Sequence, residues 1–185
     1  MDGLRRVGVI LLALVLFLLQ APPCSVAQET NDPLKNRIKV SFIYNFAKFV
    51  TWPKDNNSSN TFSICAIGGE PLYSFLNHLS KVKKIKNKTI LILKNPSLNK
   101  LKACNILFIG SSESDNLKSI LGKLKGLPVL TLGDTKGYER RGVGITLCEV
   151  NRKIRFKINP KAISNAGLTA SSELLKLGVN VNSGN

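Results

Sequence analysis

Phe62-Ser63-Ile64-Cys65-Ala66-Ile67, followed at once by Gly68-Gly69-Glu70-Pro71 and then by Leu72, Phe75, Leu76 and Leu79, decides the fold class of this chain. A short, nearly continuous apolar run suits a strand buried on both faces, as in a parallel sheet covered by helices. The glycines and proline punctuate it, and the apolar residues beyond recur at helical spacing. The same alternation continues downstream. Thr89 to Leu93 reads as a second strand, Asn105 to Ile109 as a third, and Pro128 to Leu132 as a fourth, with a helix through Leu117, Ile120, Leu121 and Leu124 before the last. Strands interleaved with helices in this order predict an α/β fold, a three-layer sandwich around a mostly parallel central sheet.

The flanks complete the domain. Upstream, Asn31-Asp32-Pro33 supplies a capping residue and a proline for a first helical turn. Ile38, Phe42, Phe46 and Phe49, with Ile43 and Val50 beside them, predict one buried apolar face on that helix. Trp52-Pro53 ends it, because the residue before proline is pushed out of the helical region. Asp55 to Asn60 is a loop by composition. Downstream, Gly144 to Glu149 and Lys153 to Ile158 predict a carboxyl-terminal antiparallel hairpin turning at Val150-Asn151-Arg152. Ile154, Phe156 and Ile158 alternate with Arg155 and Lys157, so one face of its second strand is buried. Asn159-Pro160 opens a last helical segment that Gly167 breaks before Ala170 to Leu177. Residues 28–36 are expected to be a flexible lead, and residues 37–180 a single domain.

Residues 1–27 carry an address. Arg5 and Arg6 precede the apolar run Val7 to Leu19, and Ser25-Val26-Ala27 places small residues at the cleavage-reading positions. The run is shorter than the ~20 residues that span a bilayer, so a signal peptide cut after Ala27 is expected. Cys24 would leave with it. The mature chain keeps Cys65, Cys104 and Cys148, an odd number in a compartment where disulfides persist.

The chain has 185 residues with 27 Lys+Arg against 11 Asp+Glu, a net charge of +16. One histidine, His78, leaves a serine or cysteine hydrolase with a single imidazole, and there is no Gly-x-Ser-x-Gly elbow. Asp115, Asp134, Glu139 and Glu149 form no paired-carboxylate pattern. No Cys-x-x-Cys pair, GxGxxG or GxxxxGK motif points to a metal or nucleotide. The reading is therefore of a protein that is not an enzyme and holds no cofactor.

Taken together, Phe42-Ile43-Tyr44-Asn45-Phe46-Ala47-Lys48-Phe49-Val50-Thr51-Trp52-Pro53, Ile106-Leu107-Phe108-Ile109, Val129-Leu130-Thr131, Phe156-Lys157-Ile158-Asn159, Ala166-Gly167-Leu168, Ser171-Ser172 and Leu174-Leu175 resemble the YfiR family of periplasmic proteins. The resemblance spans about residues 35–178. It implies an exported, periplasmic regulator that docks on the periplasmic sensor domain of an inner-membrane signalling enzyme, typically a diguanylate cyclase, or a sensor kinase. Binding would repress the enzyme; release would raise cyclic di-GMP and promote biofilm growth. It also implies a small α/β sandwich, a homodimer, and a partner-contact region in the carboxyl-terminal third, with Phe156, Leu168, Leu174 and Leu175 as candidates. Cys65 and Cys104 match one cysteine pair of the family. Its second pair, two cysteines seven apart near the hairpin, has no counterpart, since Cys148 faces Arg141 in that spacing.

Physical chemistry adds to each candidate. If the strands of Cys65 and Cys104 are neighbours, a disulfide between them would stabilise the fold by roughly 4 kcal/mol; the alternative is two buried free thiols. Cys148 is left as the free-thiol candidate. Gly68 and Gly69 after the first strand, Gly110, Ser111 and Ser112 after the third, and Asp134 after the fourth share the carboxyl edge of the sheet, where open α/β sheets bind ligands. A small-ligand-binding protein with its site at that edge is the alternative function; capping and tight turns are the plainer use of these residues. Lys81-Val82-Lys83-Lys84-Ile85-Lys86-Asn87-Lys88, continuing to Lys94, Lys100 and Lys102, is a basic run without aromatics, which argues against nucleic acid. It suits a solvated face, an anionic membrane surface or an acidic protein.

Overall fold

A computed structural model describes residues 32–53 and 60–180. The signal-peptide reading of residues 1–27, and most of the loop at 55–60, lie outside the described residues.

The first helix, α1 (Pro33–Phe49), begins as its sequence dictates: Asp32 is the N-cap, its Oδ1 accepting from the Leu34 and Lys35 amides at 2.9 and 3.4 Å. Residues 33–36, expected to belong to a flexible lead, are thus helical, and residues 28–31 lie outside the described residues. Of the expected buried face, Ile43, Phe46 and Val50 are buried, and the remainder differs. Asn36, Val40, Ile43, Phe46 and Ala47 face the sheet, whereas Ile38 is 37% and Phe49 39% exposed. The two sets are offset by roughly 100°, about one residue around the axis. The slimmer Val40 and Ala47 let the helix approach closely, so the bulkier Ile38, Phe42 and Phe49 are turned to its flank.

The strands are β1 (Val50–Thr51), β2 (Thr61–Ile67), β3 (Lys84–Ile85), β4 (Lys88–Lys94), β5 (Ile106–Ile109), β6 (Leu130–Gly133), β7 (Ile145–Val150), β8 (Lys153–Ile158), β9 (Thr169–Ala170) and β10 (Val179–Asn180). Further helices are α2 (Glu70–Val82), α3 (Leu117–Lys123), α4 (Pro160–Asn165) and α5 (Ser172–Leu177), with 3-10 turns at Leu98–Ala103, Ser111–Glu113 and Tyr138–Arg141. Eight strands form one sheet in the order β10-β8-β7-β6-β5-β2-β4-β3. The run β4-β2-β5-β6-β7 is parallel throughout, while β3 and β8 return antiparallel and β10 lies parallel to β8. This is the expected mixed α/β fold with a mostly parallel sheet, and β7–β8 is the expected hairpin. Its turn residues Asn151 and Arg152 both have positive φ, as a two-residue hairpin turn requires.

Side-chain alternation sorts the interior. Ile64 and Ala66 of β2 join one apolar cluster with α1, α2, α4 and α5; Cys65 and Ile67 join another with Leu101, α3 and Tyr138. Each fully buried Ile, Leu or Phe contributes about 1.5–3 kcal/mol.

Trp52-Pro53 does more than stop α1. β1 pairs with β9 in a separate two-stranded sheet, and Trp52 Nε1 donates to the Asn105 carbonyl at 3.2 Å. The indole stands edge-on against Phe62, and the Lys86 ammonium lies 5.2 Å from its ring while donating to the Val50 carbonyl at 2.7 Å. Burial pushes the Lys86 pKa down. The basic run therefore hides a strand: Lys86 and Asn87, both at positive φ, make the β3–β4 turn.

Candidate functional site

The two sulfurs of Cys65 and Cys104 are bonded, with Cα atoms 5.8 Å apart. β2 and β5 are parallel neighbours, and the crossover between β4 and β5 passes over the face that carries Cys65. Cys104 ends the 3-10 turn of that crossover, which brings its side chain onto Cys65. Both residues are buried. The bond fastens crossover to sheet and closes a loop of 39 residues.

Among the described residues Cys148 is the free thiol, half-buried on β7 opposite Arg155. Burial pushes its pKa up; nearby Lys157 lowers it and Glu139 raises it. Little thiolate forms near neutral pH, so the site is a poor nucleophile. Its surroundings hold a carboxylate that the sequence places only among the unpaired acids. Glu139 is 2% exposed, with Oε1 3.1 Å from Lys157 Nζ, while Glu139 Oε2 and the Thr146 hydroxyl have no partner among the described residues. Burial would raise this carboxyl, but its own backbone N–H, Lys157 and Arg140 outweigh that and hold it below the ordinary glutamate value.

The carboxyl edge of the sheet is more tightly built than the glycine pattern suggests. Gly68 sits at φ +64°, and a Cβ at Gly110 would strike the Gly68 carbonyl. A Cβ on Gly69 would meet the Phe108 ring at 2.9 Å. Ser112 donates to the Gly68 carbonyl at 3.4 Å, and Ser111 begins a 3-10 turn instead of the next α-helix, which starts at Leu117. Asp134 is committed to Lys39 of α1 at 2.6 Å. Gly68 and Ser112 do line one cleft of about 590 Å³, with Glu70, Asn95, Pro96, Glu113, Asn116 and Ser119 among the other walls. Gly69, Gly110, Ser111 and Asp134 are not brought into it. What holds this edge is Tyr138, fully buried, whose hydroxyl donates to the Gly110 carbonyl at 3.0 Å and lies 3.1 Å from the Ser114 hydroxyl. Gly133 packs under its ring. Its sequence signal was weak: one tyrosine following a glycine.

The partner-contact candidates divide. Phe156 is 7% exposed and lies against Phe46 and Phe42 with ring centroids 5.0 and 5.9 Å away; Leu168 and Leu174 are also core residues. The side chains of all three are buried in the apolar cluster that the sheet shares with α1, α4 and α5. Leu175 is half-buried. The exposed apolar residues lie elsewhere, with Leu34 64% exposed, Ile38 and Phe49 on the flank of α1, Val150 50% on the hairpin and Leu177 72% on α5. His78 is exposed on α2, in a groove with Arg37, Ser74 and Phe75. Among the described residues no group of three or more His, Cys, Asp or Glu could hold a metal, and no helix is long and apolar enough to cross a membrane.

A disulfide-fastened, mostly parallel α/β sheet with apolar flanks and a polar cleft defines the class of protein, a mixed α/β domain. The sequence profile of the YfiR/HmsC-like family matches residues 36–179, and the chain belongs to that family. No curated protein matches it. Among solved structures, a conserved domain protein from Vibrio cholerae is similar at 11% identity with a TM-score of 0.49. That match covers 78% of this chain and 59% of the other.

Proposed function

We propose that the protein is a periplasmic regulator that docks on the periplasmic domain of an inner-membrane signalling protein, a diguanylate cyclase or a sensor kinase, and represses it. Family membership over residues 36–179 supports the regulatory reading. The observation that carries the docking is the apolar flank of α1. Leu34, Ile38 and Phe49 project from a helix whose opposite side is already packed, and Phe42 beside them is half-buried. Exposed large side chains in one stripe mark interaction surfaces more often than chance. α1 also packs against α5, so Leu175 and Leu177 extend the same reading toward the carboxyl-terminal third. The domain acts here as a three-layer platform, a homodimer by family analogy, behind a cleaved signal peptide; it makes and breaks no covalent bond in a substrate.

The test is capture of membrane proteins on the purified chain, with cyclic di-GMP measured in cells lacking the gene. Enrichment of an inner-membrane cyclase or kinase, lost in an Ile38→Glu/Phe49→Glu variant that still folds, is the expected result. Capture unaffected by those substitutions, together with unchanged cyclic di-GMP, defeats the proposal.

The cleft bordered by Gly68 and Ser112 favours a second reading, binding of a small ligand at the carboxyl edge, because its volume suits a metabolite. A thermal-shift screen against polar metabolites checks it: a stabilising compound whose effect Ser119→Phe abolishes is expected, and no stabilising compound rejects it.

A further inference from the structure

From Pro71 to Ser112 the sequence contains no aspartate or glutamate, while Lys81, Lys83, Lys84, Lys86, Lys88, Lys94, Lys100 and Lys102 all lie within it. The fold gathers these residues at one end of the sheet. α2 ends at Val82, β3 is the edge strand, and the turn at Lys86-Asn87 returns the chain into β4. Two lysines are used internally, Lys86 on the Val50 carbonyl and Lys94 on Glu70. Lys81, Lys83, Lys84, Lys88, Lys100 and Lys102 form no ion pair with any described residue, and all but Lys88 are exposed.

Register shows which face they share. Lys84 lies opposite Thr89, and Leu91 follows on the same side of β4, 44% exposed. Leu93, the next residue on that side, packs against the cluster containing Leu101, which Lys100 and Lys102 flank. Val82, 60% exposed, ends α2 between Lys81 and Lys83 and borders the groove between α1 and α2, on the other face of the sheet from Leu91. The result is a cationic rim of Lys84, Lys100 and Lys102 around the exposed Leu91, with Lys81 and Lys83 at the end of α2 beside the same edge and no acidic residue of the segment to neutralise it.

We propose that this β3–β4 edge docks on an anionic phospholipid surface. Ammonium groups on long, unpaired stems suit a fluid layer of phosphates better than a fixed acceptor geometry, and Leu91 can enter the interface while the lysines stay at headgroup level. The segment from Lys81 to Lys102 carries no aromatic residue of its own, so it supplies no row of rings on which bases could stack. This inference is independent of the regulatory reading: it concerns where the protein rests, whichever partner it has.

Co-sedimentation of the purified protein with vesicles tests it, comparing phosphatidylglycerol mixed into phosphatidylcholine with phosphatidylcholine alone. Each lysine near an anionic surface multiplies the partition coefficient by about fivefold, so Lys83→Glu/Lys84→Glu/Lys100→Glu should weaken binding by about a hundredfold or more. Lys136→Glu/Lys153→Glu/Lys161→Glu makes the same change of net charge away from the β3 edge and should cost only a few-fold. Binding should vanish on pure phosphatidylcholine and fade as salt rises. Circular dichroism verifies that each variant folds, and the milder Lys100→Gln/Lys102→Gln pair replaces the edge variant if it does not. No salt-sensitive retention on phosphatidylglycerol, or equal losses in the two triple variants, overturns the proposal. So does an edge variant that keeps vesicle binding but loses an acidic protein partner.

Discussion

Breaking the Cys65–Cys104 bond should remove a large share of the stability of this domain. Chain-entropy reasoning for a loop of 39 residues yields about 4 kcal/mol at room temperature, set against a usual margin of ~5–15 kcal/mol. Two perturbations separate the cross-link from the packing. Reduction of the wild-type protein keeps both sulfurs in place and should cost about 4 kcal/mol. Cys65→Ala/Cys104→Ala also removes two buried atoms from a filled cluster and should cost about 1–2 kcal/mol more. Urea titration reads both. The midpoint should fall by about 2 M on reduction, and the slope should steepen because the uncrosslinked unfolded chain exposes more surface. All measurements belong on a Cys148→Ala background, so that the remaining thiol cannot rearrange. A reduced protein within about 1 kcal/mol of the oxidised one, at unchanged slope, would refute the argument that this bond restrains the unfolded chain.

Other outcomes follow from the same geometry. Lys157→Ala leaves Glu139 charged and buried without its main partner, and should destabilise by about 2–3 kcal/mol in thermal unfolding. Because the folded-state pKa of Glu139 is depressed, its stabilising contribution is complete above the unfolded value near ~4.3 and is lost as pH falls through the lower folded value. The melting temperature of Glu139→Gln should therefore decline less steeply with acid than that of the wild type, and parallel curves would contradict this. Gly110→Ala should cost about 3 kcal/mol or more, since the new methyl meets the Gly68 backbone; Gly122→Ala, with open space inside α3, should stabilise by about 0.5–1 kcal/mol. Similar stabilities for the two alanine variants would show the edge to be looser than described. Cys148 should react with iodoacetamide several-fold more slowly than free cysteine at neutral pH. A rate equal to or above that of free cysteine would deny the effect of burial.

Much of the architecture was legible because local signals and burial agree along the central strands. Phe62 to Ile67 could be read as a strand because a run apolar on both sides has no competing use once Gly68 and Pro71 close it. The start signal of α1 was legible in Asp32 and Pro33, which act on the backbone beside them, although the flexible lead was drawn on to residue 36. The buried face of α1 was misread in part, for a related reason. Hydrophobicity alone cannot rank the positions around the axis: the sheet takes Val40, Ile43, Phe46 and Ala47 and leaves Ile38 and Phe49 outside. β1, β3 and β9 were missed because two-residue strands carry no periodicity of their own.

The candidate sites divide along the same line. Sequence alone determined a basic chain with few groups for acid–base or nucleophilic chemistry, an α/β order of elements, a carboxyl-terminal hairpin and a cysteine pair worth testing. These properties reside in composition and in neighbours a few residues apart. Tertiary structure decided that Phe156, Leu168 and Leu174 are core and that Asp134 is spent on Lys39. It also decided that Glu139 is buried beside Cys148 and that Lys84, Leu91, Lys100 and Lys102 share a face. Each of those outcomes depends on strand order and register, which bring together residues tens of positions apart; no local spacing encodes that proximity.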